Sequence, residues 1–272
     1  MSDRTEFRFA GNVPEAYDKH LVAPLFEPMA HVLLAALGLK PGERLLDVAC
    51  GPGSVARVAA RHAQTHGRVT GCDVSSDMIA VARSKSPEAG SAAIEYVVSP
   101  AAPLPFANNA FDAIACQQGL QFFPDKVAAL SEMRRVLTRE GRVAIVVFRP
   151  PDGAQLFTAL RDAARRAGVD EVDAFFSEPF SYGSVQDLQR DLESAGFSDV
   201  AIGERSVPVV FNDGLDQAVS TIRGIPFWPA IVPKGEETIA AFEREAREGL
   251  QQFLDGDAVR IEQYSNLVVA RP

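Results

Sequence analysis

Residues 44–54 read RLLDVACGPGS, and this stretch is the most informative part of the sequence about the fold. It begins with the apolar pattern of a strand, continues through small residues and leads into a helical pattern at Val55. Gly51 and Gly53 carry no side chains where a ligand approaches the backbone, and the helix N-terminus offers free N–H groups. The stretch therefore predicts a strand, a nucleoside-binding turn and a helix.

Short β-rich runs alternate with helical patterns along most of the chain. This alternation is typical of a parallel sheet with helices on both faces. The predicted strands are residues 44–48, 68–72, 94–98, 111–116, 142–148, 201–210 and 258–270, and the predicted helices include 24–39, 55–64, 76–84 and 126–137. We therefore predict an α/β fold with a Rossmann-like, doubly wound, seven-stranded sheet. This sheet is mostly parallel with an antiparallel last strand, and a helical lid and insertion are added to it.

The overall composition excludes several function classes. Acidic residues outnumber basic ones 36 to 27 and the net charge is −9, so nucleic-acid binding is disfavoured. The polar N-terminus predicts neither a signal peptide nor membrane insertion. The three cysteines, Cys50, Cys72 and Cys116, show no metal-ligand spacing. We therefore predict no metal site and a reducing, cytoplasmic setting.

Two acidic residues beside the turn narrow the choice of ligand. A dinucleotide loop has glycine at all three positions of GxGxxG, whereas these positions here hold Ala49, Gly51 and Ser54. Asp47 would repel a pyrophosphate but attract a cation. Asp73 ends the second strand, where a carboxylate can accept hydrogen bonds from ribose hydroxyls. S-adenosylmethionine carries a ribose, a sulfonium and an ammonium, so it fits this pattern better than NAD does.

Four motifs follow one another in the order seen in a large enzyme family. They are LLDVACGPG (45–53), GCDVSSDM (71–78), LPFANNAFDAIACQQGLQFFPD (104–125) and LSEMRRVLTREGRVAIVVF (130–148). Through them, residues 41–148 resemble the class I S-adenosylmethionine-dependent methyltransferases, particularly the group that includes ubiquinone and menaquinone biosynthesis enzymes. The resemblance implies S-adenosylmethionine as cofactor, S-adenosylhomocysteine as product and methyl transfer to a small molecule as activity.

The resemblance also suggests how the chain is organised. We predict one methyltransferase domain over residues 1–272 with a cofactor-binding core at 41–148. An N-terminal helical cap at 1–40 precedes the core. A lid segment at 150–183 and an insertion at 207–256, between strands six and seven, follow it. The amphipathic helix of the insertion serves either its own core or a homodimer surface, and the sequence leaves this choice open.

Cofactor contacts carry over from the family position by position. Asp73 would bind the ribose, and Val74 with Met78 would bind the adenine. The loop after the first strand would face the methionine part, and the cap would close over the cofactor. The complete predicted set is Tyr17, Asp47, Ala49, Cys50, Gly51, Gly53, Asp73, Val74, Met78, Pro100, Ala101 and Gln117.

The chain departs from the family pattern at Pro100. Members of the family often have an acidic residue at this position, followed by a residue whose backbone N–H meets the adenine. Pro100 removes that carboxylate, while Ala101 keeps its N–H. We predict that cofactor binding survives, because one exposed hydrogen bond contributes roughly 1 kcal/mol. A methyltransferase-like binding protein without activity stays an alternative, and an NAD(P)-dependent oxidoreductase is a less favoured one.

The acceptor should lie beyond the carboxyl ends of the strands. Methyl transfer from a sulfonium is an in-line displacement, so alignment and exclusion of water can accelerate it without a dedicated base. The predicted acceptor contacts are Gln118, Gln121, Phe122, Phe148 and Trp228, and His20 is the candidate base. The seventeen phenylalanines favour a small apolar or aromatic acceptor, and the sequence leaves open whether O, N or C is methylated.

Overall fold

A computed structural model describes residues 13–63, 67–85, 88–149, 154–169 and 172–272. Its centre is one sheet with the strand order β3-β2-β1-β4-β5-β8-β6, and β7 pairs with β8 beside this path. The strands are β1 (Arg44–Val48), β2 (Arg68–Asp73), β3 (Ala93–Val98), β4 (Phe111–Gln117), β5 (Leu137–Phe148), β6 (Ser198–Phe211), β7 (Leu254–Asp255) and β8 (Ala258–Arg271).

The direction of the strands confirms the predicted fold class. Strands β1 to β5 pair in parallel, and β8 runs antiparallel to both β5 and β6. The strand order reverses between β1 and β4, and ligands of doubly wound sheets bind in the crevice at such a reversal. The one strand that the sequence did not predict is the two-residue β7.

Helices cover both faces of the sheet. They are α1 (Val13–Tyr17), α2 (Glu27–Leu37), α3 (Ser54–Ala63), α4 (Ser76–Ser84), α5 (Lys126–Val136), α6 (Gln155–Arg166), α7 (Val172–Ser177), α8 (Val185–Ser194), α9 (Gly214–Ser220), α10 (Trp228–Ile231) and α11 (Glu236–Leu250). One core layer joins α2 and α3 to the sheet, and a second joins α5 and α8 to its other face. This arrangement explains why the central strands are apolar on both faces.

The N-terminal helical segment begins earlier than the predicted residue 24. A π-helical stretch, Asp18–Phe26, links α1 to α2 and contains Pro24, which cannot donate an α-helical hydrogen bond. The stretch Val13–Leu37 has 25 residues, and its most apolar window of 18 residues has a mean hydropathy of 1.5. This is long and apolar enough to cross a membrane, but 50% of the window is buried inside the protein. A core helix passes the same test, so the absence of membrane insertion stays a prediction.

The insertion begins later than the sequence predicted. Strand β6 continues to Phe211, so residues 207–210, where the predicted strand and the predicted insertion overlap, belong to the strand. The reason is a long antiparallel ribbon, in which Phe211 pairs with Val259 of β8. Helix α11 packs against α6 next to this ribbon, and its residues Phe242 and Ala246 are fully buried. The amphipathic pattern predicted for this helix is therefore confirmed.

Candidate functional site

The loops after β1 and β4 meet at the point where the strand order reverses. Ala49 follows β1 with a φ of 58°, and Gln118 follows β4 with a φ of 54°. Positive φ values are uncommon for residues other than glycine and cost energy. Strain of this kind often clusters at ligand sites, and here it marks the ends of two adjacent strands.

The Asp73 carboxylate ties two of these loops together. Its Oδ2 accepts a hydrogen bond from the Gly51 backbone N–H at 2.9 Å, and its Oδ1 accepts one from the Ser75 N–H at 2.8 Å. Burial raises the pKa of Asp73, while these backbone donors oppose the rise. The side chain thus sits at the carboxyl end of β2, directly beside the glycine loop.

The second acidic residue, Asp47, is buried near the carboxyl end of the central strand β1. Its side chain is 1% exposed, and its Oδ2 accepts a hydrogen bond from the Ala56 N–H at 3.0 Å. Its Oδ1 has no hydrogen-bond partner among the described residues. Burial raises the pKa of Asp47 to about 8, and the nearby Asp73 charge adds to the rise. A cationic ligand nearby would lower this pKa again.

The raised pKa of Asp47 predicts a pH-dependent stability of the ligand-free protein. The folded protein keeps the proton on Asp47 up to about pH 8. The unfolded chain releases it near pH 4. The stability that this group contributes is therefore present below pH 4 and is lost as the pH rises through the folded pKa. Relative to Asp47→Asn, the wild type should lose about 1.4 kcal/mol per pH unit between pH 5 and 8.

Thermal unfolding of both proteins at several pH values measures this difference. Asp112→Asn is the matched control, because Arg44 holds the pKa of Asp112 below its usual range and no titration falls in this window. A gap between wild type and Asp47→Asn that stays constant from pH 5 to 8 would contradict the prediction.

The two glycines of the loop have different surroundings. A Cβ atom added at Gly51 would have no other atom within 4 Å. A Cβ added at Gly53 would lie 2.3 Å from the Tyr96 hydroxyl oxygen. Gly51 therefore borders open space at the crevice, whereas Gly53 allows the start of α3 to approach the Tyr96 ring on β3.

The N-terminal cap lies over this loop. The Tyr17 ring stacks on Phe26 with a centroid distance of 4.9 Å, and burial, followed by the Asp73 charge, raises the Tyr17 pKa. Asp18 forms ion pairs with Lys85 and with Arg57, whose Nη2 lies 3.7 Å away. The cap is thereby attached to the helices that follow β1 and β2.

Gln117 joins the cap to the end of β4. Its Nε2 donates a hydrogen bond to the Phe26 carbonyl at 2.8 Å. Its Oε1 is buried and lacks a partner in the part of the chain that the structure describes. Asp47 pairs with Ala115, two residues before Gln117, so Asp47 and Gln117 lie on the same face of the sheet. Two unpaired buried acceptors thus lie on one face at neighbouring strands.

The predicted adenine contacts divide into exposed and buried residues. Val74 is 74% exposed directly after Asp73, whereas Met78 is only 3% exposed. Pro100 is exposed and Ala101 is half-buried. Val74 therefore offers the apolar surface, and Met78 lies in the interior of α4.

The segment that contains Pro100 is held by an ion pair on α5. Glu132 accepts a hydrogen bond from the Leu104 N–H at 2.7 Å, and Arg135 donates to the Phe106 carbonyl at 2.8 Å. Arg135 and Glu132 also bind each other. The loop position therefore does not depend on a carboxylate at residue 100.

His20 contacts the insertion. Its Nδ1 lies 3.1 Å from Ser220 Oγ, which donates its own hydrogen to the Gln217 carbonyl at 2.7 Å. Nδ1 must therefore be the donor in this pair. Burial and the charges of Lys19 and Arg223 lower the His20 pKa, so neutral imidazole is favoured. This contact gives His20 a role in holding the cap, and its role as base stays a prediction.

The predicted acceptor residues fall into a polar and an aromatic group. Gln118 and Gln121 are buried at the end of β4, and Phe122 is half-buried beside them. Phe148 belongs to the aromatic core below the ribbon, and the half-buried Trp228 packs against the same core. The structure thus brings the two glutamines together and places Trp228 on the insertion.

Ser265 is a site residue that the sequence analysis missed. It lies on β8, is fully buried and accepts a hydrogen bond from Gln118 Nε2 at 3.2 Å. The available signal was the polar pair Ser265 and Asn266, which directly precedes the apolar run Leu267–Ala270 of β8. A buried polar residue in such a strand needs a partner, and the sequence alone does not say which one.

Comparison with known proteins decides the family. The sequence model of the ubiE/COQ5 methyltransferase family matches residues 30–162. The 2-phytyl-1,4-naphtoquinone methyltransferase of Trichormus variabilis is 31% identical over 188 residues, which are 64% of this chain and 82% of that protein. The chain belongs to the ubiE/COQ5 methyltransferase family. Residues after 162, including the insertion, lie outside the family match.

Two further similarities extend the comparison. The demethylmenaquinone methyltransferase of Thermotoga maritima is 36% identical over 138 residues, and the match covers 51% of this chain and only 58% of that protein. The phosphoethanolamine N-methyltransferase 2 of Haemonchus contortus, solved with S-adenosylmethionine, is 19% identical with a TM-score of 0.61. That match covers 99% of this chain and 58% of the other. At this identity it shows that the fold is shared.

The residues present fit the cofactor of the ubiE/COQ5 family. S-adenosylmethionine brings an ammonium and a sulfonium, and the unpaired oxygens of Asp47 and Gln117 are acceptors that positive charge would compensate. The open side of Gly51 leaves room next to the Asp73 carboxylate. Val74 presents exposed apolar surface on which the adenine of the cofactor could pack.

The three cysteines are poorly suited to act as nucleophiles. Cys50, Cys72 and Cys116 are all buried and free. Burial raises the pKa of Cys72 to about 12, and it raises the pKa of Cys50 and Cys116 as well. Thiols with such pKa values do not form the nucleophilic thiolate near neutral pH. Across the described residues, no group of His, Cys, Asp and Glu could hold a metal ion.

Proposed function

We propose that this protein transfers a methyl group from S-adenosylmethionine to a small acceptor with an apolar or aromatic body. The observation that carries the proposal is the Asp73 carboxylate bound to the Gly51 N–H, beside open space at the reversal of the strand order. Family membership supports the same reaction class.

The chain's own residues would hold and shield the reactants. S-adenosylmethionine supplies an electrophilic methyl carbon on a sulfonium. Asp73 would accept the ribose hydroxyls, and Asp47 with Gln117 would accept the ammonium hydrogens. The cap residue Tyr17 would exclude water from the crevice, which strengthens these electrostatic contacts. No base is required for the displacement itself, and the acceptor proton can leave to solvent.

The nature of the acceptor is supported by the surroundings of β4 and β5. Gln118 and Gln121 provide hydrogen-bonding groups, while Phe122 and the Phe148 cluster are apolar. The Trichormus relative is named for 2-phytyl-1,4-naphtoquinone and the Thermotoga relative for demethylmenaquinone. An aromatic ring that carries oxygen substituents is therefore the first acceptor class to test.

Calorimetric titration of the purified chain with S-adenosylmethionine, S-adenosylhomocysteine and NAD tests the cofactor. We expect the first two to bind with dissociation constants below about 1 mM, which corresponds to roughly −4 kcal/mol, and NAD not to bind. Formation of S-adenosylhomocysteine with 1,4-naphthohydroquinone, catechol and aniline then tests transfer.

Each outcome of these assays has a definite meaning. Binding of NAD alone would overturn the proposal in favour of an oxidoreductase. Binding of S-adenosylmethionine without transfer to any of the three acceptors would instead favour the methyltransferase-like binding protein.

A further inference from the structure

A row of three polar side chains connects the loop after β4 to strand β8. Gln118 Nε2 donates a hydrogen bond to Ser265 Oγ at 3.2 Å, and Gln121 Nε2 donates one to Gln118 Oε1 at 3.3 Å. Gln118 is 9% exposed, Gln121 is 4% exposed and Ser265 is 0% exposed. We call these residues the Gln121–Gln118–Ser265 row.

The row ends in an unused acceptor. Gln121 Oε1 is buried and has no hydrogen-bond partner within the described ranges of the chain. Ser265 Oγ accepts from Gln118 Nε2 and Gln118 Oε1 accepts from Gln121 Nε2, which leaves Gln121 Oε1 as the terminal acceptor of the row. A buried amide oxygen without a partner costs free energy, and a donor group on a bound ligand is one way to offset that cost.

The row borders an aromatic surface. Ser265 pairs with Phe148 across β5 and β8, so these side chains are neighbours on one face of the sheet. The Phe148 ring lies 5.2 Å from the Phe180 ring and 5.6 Å from the Phe157 ring. The turn that contains Gln121 packs against the turn that contains Phe180. The turn with the free acceptor therefore lies next to the turn that carries the Phe180 ring.

Backbone strain accompanies the row. Gln118 has a φ of 54°, and its N–H donates to the Val146 carbonyl at 2.8 Å. A glutamine at this φ is disfavoured relative to glycine, since its Cβ approaches the carbonyl oxygen. Gln118, the middle member of the row, is therefore held in a backbone conformation that its side chain disfavours.

We propose that Ser265 is a positioning residue for the acceptor. It holds the Gln118 amide, and Gln118 in turn orients Gln121, whose Oε1 accepts a hydrogen bond from an O–H or N–H of the acceptor. This inference rests on the proposed methyl transfer. Ser265 lies beyond residue 162, outside the family match, so similarity to the relatives does not assign it this role.

Binding to the complex with S-adenosylhomocysteine tests the row. The probes are 1,4-naphthohydroquinone, which has two O–H donors, and 1,4-dimethoxynaphthalene, which has none. Ser265→Ala removes the anchor, and Gln118→Asn shortens the middle amide while tolerating the positive φ. Both variants should bind the hydroquinone about 10-fold more weakly, with no change for the dimethoxy compound. The exposed Ser206 on β6 provides the control variant Ser206→Ala, which should bind as the wild type does.

Kinetics and spectroscopy separate positioning from general damage. In turnover, KM for the hydroquinone should rise while KM for S-adenosylmethionine stays unchanged. Equal losses for both probes, a parallel loss of S-adenosylhomocysteine affinity, or unchanged hydroquinone affinity would each overturn the proposal.

NMR of the side-chain amides tests the row independently of activity. In the ligand-free protein, Ser265→Ala should shift the side-chain amide resonances of both Gln118 and Gln121. Absence of these shifts overturns the row itself. Absence of S-adenosylhomocysteine binding to the wild type overturns the proposed function while leaving the resonance test of the row in force.

Discussion

Asp73→Asn should weaken binding of S-adenosylmethionine by roughly 100-fold or more. The wild-type carboxylate would accept two ribose hydroxyls, and hydrogen bonds to a charged acceptor contribute about 1.5–3 kcal/mol each. The variant also changes the acceptor of the Gly51 N–H, which positions the loop. Titration calorimetry with S-adenosylmethionine and S-adenosylhomocysteine measures the effect, and both ligands should lose affinity equally because both carry the ribose.

The exposed Asp77, four residues further along the chain, provides a matched control. Asp77→Asn removes the same charge from the same region, so it reports any long-range effect of net charge on a cationic ligand. Its affinity should stay within about 2-fold of the wild type. Similar losses in the two variants would contradict a specific ribose contact at Asp73.

Local patterns in the sequence were sufficient for the central part of the site. The turn after β1 and the cap of α4 depend on neighbouring residues, and Ser75 Oγ accepts a hydrogen bond from the Met78 N–H three residues further on. The position of Asp73 at the end of β2 was predictable for the same reason, because the end of a strand can be recognised locally, and its contact with a ribose stays a prediction. The fold class followed from the alternation of strand and helix patterns.

Contacts between distant parts of the chain were not predictable in this way. The hydrogen bond from Gln118 to Ser265 joins residues 147 positions apart, and the contact of His20 with Ser220 spans 200 positions. No local periodicity encodes such pairs. The predicted end of β6 at residue 210 is within one residue of Phe211, whereas its start at Ser198 lies three residues before the predicted start, since pairing with β8 also sets the length of the strand.

The same small substitution should affect mainly cofactor affinity at Gly51 and mainly protein stability at Gly53. Gly51→Ala places a methyl group where no atom lies within 4 Å, at a φ of 52° that alanine can adopt. The strain costs about 1–2 kcal/mol, so the melting temperature should fall by only a few degrees. Affinity for S-adenosylmethionine should nevertheless fall by at least 10-fold, because the methyl group fills the side of the loop that faces the cofactor.

Gly53→Ala should instead destabilise the protein strongly. Its Cβ would lie 2.3 Å from the Tyr96 hydroxyl oxygen and 2.9 Å from the ring carbon Cζ. The ring cannot move aside freely, since it also lies against Gly71, where an added Cβ would be 2.9 Å from Tyr96 Cδ1. Overpacking of this kind costs about 1–3 kcal/mol, and the strain at a φ of 82° adds to it. The melting temperature should fall by roughly 6–12 °C.

A double variant distinguishes this steric clash from simple backbone strain. Tyr96→Phe removes the hydroxyl oxygen, so Gly53→Ala combined with Tyr96→Phe should recover part of the lost stability. Backbone strain at residue 53 would remain, which sets a limit on the recovery. If the double variant melts no higher than Gly53→Ala alone, the clash is not the cause.

If Gly51→Ala binds S-adenosylmethionine as tightly as the wild type, the open side of Gly51 does not face the cofactor, and the site must be placed elsewhere along the loop.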